Sequence, residues 1–415
     1  MTPHRTFLDT YMYAAGRSQV PALFHTWACL SVIAAACADR VWFEKFAGKK
    51  MRPNLYVILI GPSGLGKGEA IDFAMELVPK EKYERQINPW RGKVTGAAFA
   101  DALGKGSKDE NGDANFDPDD TPVAYLITPE LSMSLGEGKI ADDFVKRMTE
   151  LYTGGKYQYN EATRTHGETK FLAPVLNWLA GSTEEWLHES VSRSAIKSGF
   201  FGRAVPIMVP HYDLTNRITN PSYPDDRDAA MEWLHARVEE ITTLEGRFRL
   251  SNQACDVRDA WYQNRPAPTD NDMLPSWVRE DDLALKIAML LAISAGRDDL
   301  VISSKTFSRA VTLAQQAHHA VPTLISSASA TPQTTGLEVV RLFIQTGARI
   351  PHSALLKKVT HRGIHAKELQ QHVETLKQQR LIRSERTMSG GVVYVWTPGT
   401  QEVFNLEAEP ENVQT

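Results

Sequence analysis

The most informative segment of this chain is NLYVILIGPSGLGKGEA, residues Asn54 to Ala70. Its apolar run Leu55–Ile60 predicts a buried strand, and the glycine-rich segment after it ends at Lys67, where a helix is expected to begin. The spacing G-x-x-x-x-G-K between a strand and a helix is typical of the loop that binds the phosphates of a nucleoside triphosphate. The alternative is a chance glycine-rich turn, which the clean apolar strand and the lysine disfavour.

The chemistry of such a loop comes from its backbone and from one cation. Glycines let backbone N–H groups turn towards a phosphate, and the helix that follows adds the positive end of its dipole. Lys67 is expected to neutralise the β- and γ-phosphates. Gly68 stands where a Ser or Thr hydroxyl would hold Mg²⁺, so the sequence predicts nucleotide binding more directly than hydrolysis. The predicted contacts with ATP are Gly61, Pro62, Ser63, Gly64, Leu65, Gly66, Lys67, Gly68 and Glu69. Mg²⁺ is the expected second cofactor, and the sequence does not identify its ligands.

Composition places the chain among globular proteins. Its 415 residues are enough for two to three domains, and 42% hydrophobic with 23% charged residues is ordinary for a folded chain. The net charge of −4 gives no overall signal for a polyanionic partner, so any contact with nucleic acid must be local. The three cysteines have no metal or disulfide spacing, which fits a reducing cytoplasm. The apolar stretch Thr26–Ala38 is too short to span a bilayer, so no membrane partner is expected.

Alternating strand and helix signals predict an α/β fold with a parallel sheet. After Leu55–Ile60, buried strands are expected at Val123–Ile127, Val175–Ala180 and Ala204–Val209, with helices covering both faces. The expected division is an N-terminal helical segment 1–45, a core 46–215, a helical region 216–325, a linker 326–335, a winged-helix domain of three helices and a hairpin 336–398, and a disordered polar tail 399–415.

Polar residues near these strands complete the predicted nucleotide site. Glu130, just after the second strand, is expected to orient the attacking water; the alternative is a helix N-terminus with Pro129 at its first position. Asn177, inside the third strand, is expected to reach the γ-phosphate or the water, unless its amide is satisfied within the core. Arg203, at the entrance to the fourth strand, is expected to act in the site of a neighbouring subunit; the alternative is a surface ion pair.

Four segments in this order, GPSGLGKG, ITPELS, VLNWLAGST and GFFGRAVPIMV, resemble the AAA+ helicase-like ATPases of phages and mobile elements. Within AAA+ proteins they look closest to the branch of superfamily III viral helicases and minichromosome-maintenance helicases. The resemblance covers about residues 5 to 320. It implies roles for four side chains: Lys67 as the phosphate-loop lysine, Glu130 as the catalytic glutamate, Asn177 as the first sensor and Arg203 as a finger acting in trans.

The same resemblance implies a ring. The segment from Arg279 to Lys286 is similar to the lid helix of minichromosome-maintenance proteins, which makes Arg279 the second sensor and 216–325 a lid. A finger acting in trans requires neighbours, so a homo-oligomer, in this family a hexamer, is implied in the cytoplasm of a bacterial host. Gly68 and Pro129 depart from the family pattern, and both are metal-related positions.

Two basic regions predict contacts with single-stranded or forked DNA. The segment 156–171 alternates aromatic and polar residues as a hairpin does, and Arg164, His166 and Lys170 cluster near its tip, where phosphate contacts are expected. In the family branch named above such a hairpin projects into the central pore; an ordinary surface hairpin is the alternative. In the winged-helix domain the expected phosphate contacts are Lys367, Lys377, Arg383 and Arg386, although winged helices also bind proteins.

These features lead to three hypotheses about function. The first is an ATP-driven, ring-forming DNA helicase of phage or plasmid replication type. The second is a helicase loader or origin-binding initiator that binds ATP and turns it over slowly, which Gly68 and Pro129 favour. The third is a DNA-binding protein without enzymatic activity that retains a vestigial nucleotide fold.

Overall fold

The computed structural model divides the chain into two compact units, Met1–Ala328 and Ser329–Thr415. The structure describes residues 6–37, 39–46, 48–78, 89–91, 123–132, 139–152, 155–163, 167–173, 175–190, 199–212, 218, 220–268, 270, 273–322, 324, 336–337, 339–341, 343–344, 349–360, 364–379, 381–386 and 391–397. For 89–91, 139–140, 155–163, 167–173 and 188–190 it describes the backbone alone. The predicted linker 326–335 and the predicted tail 399–415 lie outside the described residues.

The first unit contains strands and helices in mixed order. Its described strands are β1 (Val41–Phe46), β2 (Lys49–Met51), β3 (Tyr56–Ile60), β4 (Pro89–Arg91), β5 (Val123–Thr128), β6 (Gly155–Thr163), β7 (Gly167–Ala173), β8 (Val175–Ser182), β9 (Ala204–Met208), β10 (Gly246–Leu250) and β11 (Val301–Ile302). Its described helices are α1 (Phe7–Ala15), α2 (Ala22–Cys37), α3 (Lys67–Glu76), α4 (Lys139–Leu151), α5 (Glu184–Ser190), α6 (Arg227–Thr243), α7 (Asn252–Asn264), α8 (Leu274–Ser294) and α9 (Ser304–His318).

A five-stranded parallel sheet forms the centre of this unit. The strand order is β4-β5-β8-β3-β9, so β8 lies between the strand before the glycine-rich loop and the strand before Glu130. The four strands that the apolar runs predict are confirmed, each to within two residues of its expected bounds. The edge strand β4 is absent from the sequence prediction because three residues carry too little periodicity to be recognised.

Both faces of the sheet are buried, as its continuous apolar strands require. In β3, Tyr56, Ile58 and Ile60 join a core with Trp178 and Phe144 of α4. The alternate residues Val57 and Leu59 join the larger core that contains α1, α2 and α8. Because successive side chains of a strand point to opposite faces, β3 fixes both cores at once. The α/β class with a parallel sheet is therefore confirmed.

A second, smaller sheet lies where the sequence predicts helices. β1 pairs with β2 in antiparallel and with β10 in parallel fashion, and β10 continues to β11. The region 216–325, for which the sequence predicts helices, therefore also contains two short strands, β10 and β11. In β10, Phe248 alone is fully buried, and a single apolar residue between polar neighbours gives little strand signal.

The second unit combines helices with a three-stranded antiparallel sheet. The described positions between 336 and 344 are helical, and β14 lies between β12 and β13. Its core is closed by side chains such as Leu355, Leu369 and Val373. The predicted hairpin is present, and the additional short strand was not predicted. The bounds are β12 (Arg349–Pro351), α10 (His352–Thr360), α11 (Ala366–Gln378), β13 (Ile382–Arg386) and β14 (Val392–Trp396).

Within the described stretches of the chain, no helix has both the length and the apolar character that crossing a bilayer takes.

Candidate functional site

The glycine-rich loop joins the end of β3 to the start of α3. Gly64 and Gly66 have φ angles of 79° and 84°, a left-handed conformation that glycine adopts without steric cost. Gly66 is the N-cap of α3, and its carbonyl accepts the first helical hydrogen bond from the Ala70 N–H at 3.1 Å. The loop thus leads directly into a helix N-terminus, where free N–H groups and the helix dipole favour an anion.

The side chain of Lys67 is folded into this loop. Its Nζ donates to the carbonyl oxygens of Gly61 at 2.7 Å and Pro62 at 2.8 Å, and the residue is only 6% exposed. Burial lowers the pKa of Lys67, whereas the carboxylates of Glu130, Glu185 and Glu69 act to raise it. The ammonium group is therefore held inside the loop with three acidic side chains close enough to influence its charge.

Glu130 is positioned by close contact between two backbones. At the end of β8, a Cβ atom on Gly181 would lie 2.3 Å from the carbonyl oxygen of Pro129, so only glycine fits there. Pro129 therefore packs directly on β8, and Glu130 follows it. One carboxylate oxygen of Glu130 accepts a hydrogen bond from the Ser132 hydroxyl at 3.1 Å. The helical residues 131–132 follow, as the alternative of a helix start expects, and the charge of Glu130 also acts on Lys67.

Glu185 was not predicted from the sequence. It lies in the first turn of α5, which begins directly after β8, and the Thr183 hydroxyl accepts a hydrogen bond from the Trp186 N–H at 3.3 Å in the manner of an N-cap. Glu185 is exposed, and its charge acts on Lys67. The signal that could have found it is Thr183 followed by two glutamates just after a buried strand, a typical helix start at the loop edge of the sheet.

Gly68 leaves open space where the family pattern has a hydroxyl. A Cβ atom built on Gly68 would meet no atom of the described structure within 4 Å. The first turn of α3 therefore offers no side-chain oxygen at this position. In the parts of the chain that the structure describes, no group of three or more His, Cys, Asp or Glu side chains is arranged to hold a metal ion.

A cavity of about 370 Å³ opens beside the loop. Its walls are the segment 16–22 between α1 and α2, together with Leu65 of the loop and His211 after β9. Val20 packs so closely on the loop that a Cβ atom on Gly66 would lie 2.7 Å from its side chain. Next to the cavity, the Tyr212 hydroxyl donates to the carbonyl oxygen of Ser63. Local sequence patterns do not indicate this cavity, because its walls come from three distant segments.

Asn177 does not face the loop. In β8 it lies near the start of the strand, where its Oδ1 accepts from the Leu55 N–H at 2.9 Å and its Nδ2 donates to the Ala34 carbonyl at 3.4 Å. The loop follows the opposite end of the sheet. The structure therefore corrects the prediction for Asn177 in favour of the alternative, an amide satisfied within the core. The polar residue of β8 at the loop edge is Ser182, whose carbonyl oxygen accepts from the Gly61 N–H at 3.2 Å.

Arg203 and Arg279 also lie at the amino ends of the parallel strands, whereas the loop follows the carboxyl end of β3. Arg203 precedes β9, whose first residue is in register with Tyr56 at the start of β3. Its guanidinium donates to the Gly199 carbonyl at 3.0 Å, and a Cβ atom on Gly202 would lie 3.0 Å from Cδ of Arg279. The two arginines are thus neighbours. Four strand steps separate the edges of the sheet by about 13 Å, so neither arginine faces the loop of its own chain.

The predicted hairpin before β8 is confirmed as a pair of strands. β6 and β7 are antiparallel, with Thr163 opposite Gly167 and Asn160 opposite Lys170. Arg164 and His166 lie outside the described residues, and for Lys170 the backbone alone is described. Contact of this hairpin with DNA stays a prediction.

The basic residues of the second unit do not form one surface. Lys367 on α11 is exposed, whereas Lys377 lies 3.4 Å from the Glu374 carboxylate. On β13, Arg383 is paired with Glu385 at 3.1 Å. Arg386 lies three residues further along the strand than Arg383 and therefore on the opposite face. The set of four predicted phosphate contacts is thus divided between at least two faces of the second unit.

Neither protein-family models nor curated proteins gave a match to this chain.

Proposed function

We propose that this chain binds and hydrolyses ATP at the loop 61–67 and uses the reaction to drive a ring-shaped motor on DNA, as a replicative helicase does. The observation that carries the proposal is the buried ammonium group of Lys67, hydrogen-bonded to two loop carbonyls and influenced by Glu130 from a neighbouring strand end. A cation inside a glycine-rich strand-to-helix loop, opposite a carboxylate, is the arrangement that phosphoryl transfer needs.

The residues around the loop fit a nucleoside triphosphate. Backbone N–H groups at the start of α3 would take the phosphates, and the cavity between the segment 16–22 and His211 is large enough to take a nucleobase. Bound ATP would supply the γ-phosphoryl group whose transfer to water releases energy. Lys67 would exchange its two carbonyl partners for phosphate oxygens, which is a gain in charge pairing at a buried site.

Glu130 is the residue that we assign to orienting water. Its position is fixed by the contact between Pro129 and Gly181, and Ser132 holds one of its oxygens. Carboxylates are ligands that Mg²⁺ prefers, usually with several waters kept, so Glu130 and Glu185 are the side chains that would hold Mg²⁺ through water in place of the hydroxyl that Gly68 lacks.

Arg203 and Arg279 fit this function only between subunits. Since both lie at the far edge of the sheet, their guanidinium groups would serve the nucleotide of an adjacent copy. This supports a homo-oligomeric ring, with the β6–β7 hairpin and the second unit, as a winged helix, contacting DNA. The region 216–325 would form the lid.

A second candidate function is a nucleotide-dependent switch, such as a helicase loader or initiator. Open space at Gly68 favours it, because without a metal-binding hydroxyl in α3 the chemical step is expected to be slow. ATP-dependent unwinding of DNA distinguishes these two functions. The motor requires it, whereas the switch assembles with nucleotide and does not unwind.

The proposal is tested with Lys67→Ala and, as a matched control, Lys305→Ala, which removes an exposed lysine at the start of α9. We expect Lys67→Ala to abolish ATP turnover, because no other cation of the described structure is folded into the loop, and Lys305→Ala to behave as the wild type. The measurements are nucleotide binding, ATP turnover with and without single-stranded DNA, and circular dichroism to verify folding. Wild-type turnover in folded Lys67→Ala would contradict the assignment of the loop.

A further inference from the structure

A second cationic pocket lies at the edge of the sheet opposite the loop. We call it the β1–β2 pocket: a cavity of about 210 Å³ between the β1–β2 hairpin, the end of α4 and α8. Asp282 is the one carboxylate among its described lining residues. Six basic residues line it: Lys45, Lys49, Lys50, Arg52, Arg279 and Lys286.

Some of this charge is already compensated within the protein. Lys45 is ion-paired with Asp281 and Asp282, both at 2.7 Å. Lys286 is buried at the floor of the pocket, where its Nζ donates to the backbone and side-chain oxygens of Asn54 at 2.9 and 2.8 Å. These two lysines are therefore structural parts of the pocket and do not need an external partner.

Two of the remaining cations have no such compensation. Lys49 on β2 is exposed, and no carboxylate within the described residues lies at ion-pair distance from it. Lys50 differs, because its ammonium group lies over the Trp42 ring, 3.9 Å from the ring centroid. Nε of Arg52 is buried without a hydrogen-bond partner in the described structure, and burial lowers the pKa of this guanidinium. An unpartnered buried donor costs free energy that an anionic ligand would recover. The pocket thus has the chemistry of a phosphate site.

The rim adds an aromatic side chain. Phe46, at the end of β1, is 65% exposed, although a free phenylalanine ring in water is unfavourable. It lies opposite Lys49 across the β1–β2 hairpin, so the ring and this ammonium group share one face, whereas Lys50 pairs with Glu44 and points to the other face. Cations that follow a sugar–phosphate backbone, combined with an exposed ring on which a base can stack, are the usual features of single-strand binding.

We propose that the β1–β2 pocket binds a phosphodiester of single-stranded nucleic acid, with Lys49 and Arg52 on the phosphate and Phe46 stacked on an adjacent base. This site is additional to the β6–β7 hairpin and the second unit, and it rests on the proposed function in so far as that function requires a nucleic-acid strand. The triphosphate of a neighbouring copy, whose base could also stack on Phe46, is the other occupant that the test distinguishes.

The test measures fluorescence anisotropy of a labelled oligothymidylate over a range of salt concentrations, with the full-length protein. Lys49→Gln/Arg52→Gln removes two charges from the pocket, and Lys305→Gln/Arg309→Gln removes a lysine and an arginine from α9 as the matched control, with circular dichroism to verify folding. We expect the pocket variant to lower the slope of log K against log salt by about 1.4, the value for two lost phosphate contacts on a single strand. The control should keep the wild-type slope.

Phe46 has its own pair of variants. Phe46→Leu keeps an apolar side chain and should weaken binding about five-fold or more, the lower end of base–aromatic stacking. Phe46→Tyr restores a ring and should restore affinity. ATP turnover without nucleic acid is measured for every variant.

The outcomes are distinct. If the wild type fails to bind the oligothymidylate, the proposed function fails and this inference with it. If the wild type binds and the pocket variants bind equally well, the inference is overturned and the proposed function stands. If the pocket variants keep nucleic-acid binding and lose ATP turnover, the pocket serves the nucleotide of a neighbouring copy, and the inference is again overturned.

Discussion

Gly181 shows how a single residue without a side chain fixes the geometry of the candidate site. Its Cα faces the Pro129 carbonyl so closely that any Cβ atom would overlap with it. Moving that carbonyl would move Glu130, which is the next residue. The distance between Glu130 and the loop is therefore set by a contact between two backbones, which is more rigid than a contact through a side chain with several rotamers.

Two acidic residues influence Lys67 from neighbouring elements, and they are distinguished by mutation. We expect Glu130→Gln to preserve nucleotide affinity and reduce hydrolysis by about 10²–10⁴-fold, the usual contribution of a general base. Glu185→Gln should raise the Mg²⁺ concentration that turnover requires and leave the rate at saturating Mg²⁺ near that of the wild type, because Glu185 is exposed at the start of α5 and is assigned to Mg²⁺ alone. The measurements are nucleotide affinity and single-turnover hydrolysis. The reverse ranking would transfer the role to Glu185.

Among the candidate site residues, the sequence predicts the positions of Lys67 and Glu130, whereas it misplaces Asn177 and does not indicate Glu185. Lys67 and Glu130 follow directly from position, since each comes just after a buried strand and the carboxyl ends of parallel strands share one edge. Asn177 was misassigned because it is the third residue of its strand, and so belongs to the other edge. Glu185 was missed because a first-turn glutamate is common in helices and carries no special pattern.

At the scale of elements, strength of the apolar pattern decides what can be predicted. β3, β5, β8 and β9 are nearly continuous apolar runs, buried on both faces, and their bounds follow from the sequence. The pairing of β1 with β10 brings together residues about 200 positions apart, and neither strand shows a strong alternation. Such short strands are defined by their partners, which a sequence read locally does not reveal.

Helix α8 carries the most strongly perturbed lysine of the described part of the chain, and this gives a prediction for stability. Burial lowers the pKa of Lys286 to about 7, with Asp282 acting to raise it and Arg279 to lower it further. Between pH 7 and its ordinary value of 10.5, the unfolded chain holds this proton and the folded chain does not. The free energy of unfolding therefore rises with pH in this window, and the increase that Lys286 contributes is lost as the pH falls towards 7.

Lys286→Met should remove this contribution. We expect the increase of Tm with pH above 7 to be smaller in Lys286→Met than in the wild type, while Lys305→Met, which replaces an exposed lysine, keeps the wild-type slope. Groups that titrate in the same range are common to all three proteins and cancel in the comparison. Identical slopes in all three would show that Lys286 remains protonated in the fold.

At the scale of the whole molecule, the position of Arg203 makes a prediction about assembly. Arg203 and the loop lie at opposite edges of one sheet, so a finger role requires contact between chains. Arginine fingers contribute about 10³–10⁵-fold in rate. We expect Lys67→Ala chains and Arg203→Ala chains to be inactive when pure and partly active when mixed, because some interfaces then combine an intact loop with an intact arginine.

The control mixes Lys67→Ala chains with chains that carry both Lys67→Ala and Arg203→Ala. No interface in this mixture has an intact loop, so it should stay inactive. ATP turnover and native mass are measured together, so that mixed assemblies are shown to form. Formation of mixed assemblies without any recovery of turnover would assign Arg203 to a structural role, through its hydrogen bond to Gly199.

The five residues of β3 have a further consequence if loop and arginine serve one reaction. A strand of this length keeps the two halves of the machinery permanently apart, and no bending of a single chain brings them together. The working unit would then be a boundary between two chains. A closed ring has as many boundaries as chains, whereas an open arc leaves one loop without an arginine and one arginine without a loop at its ends. Closing the ring would therefore add one complete catalytic interface as well as buried contact area.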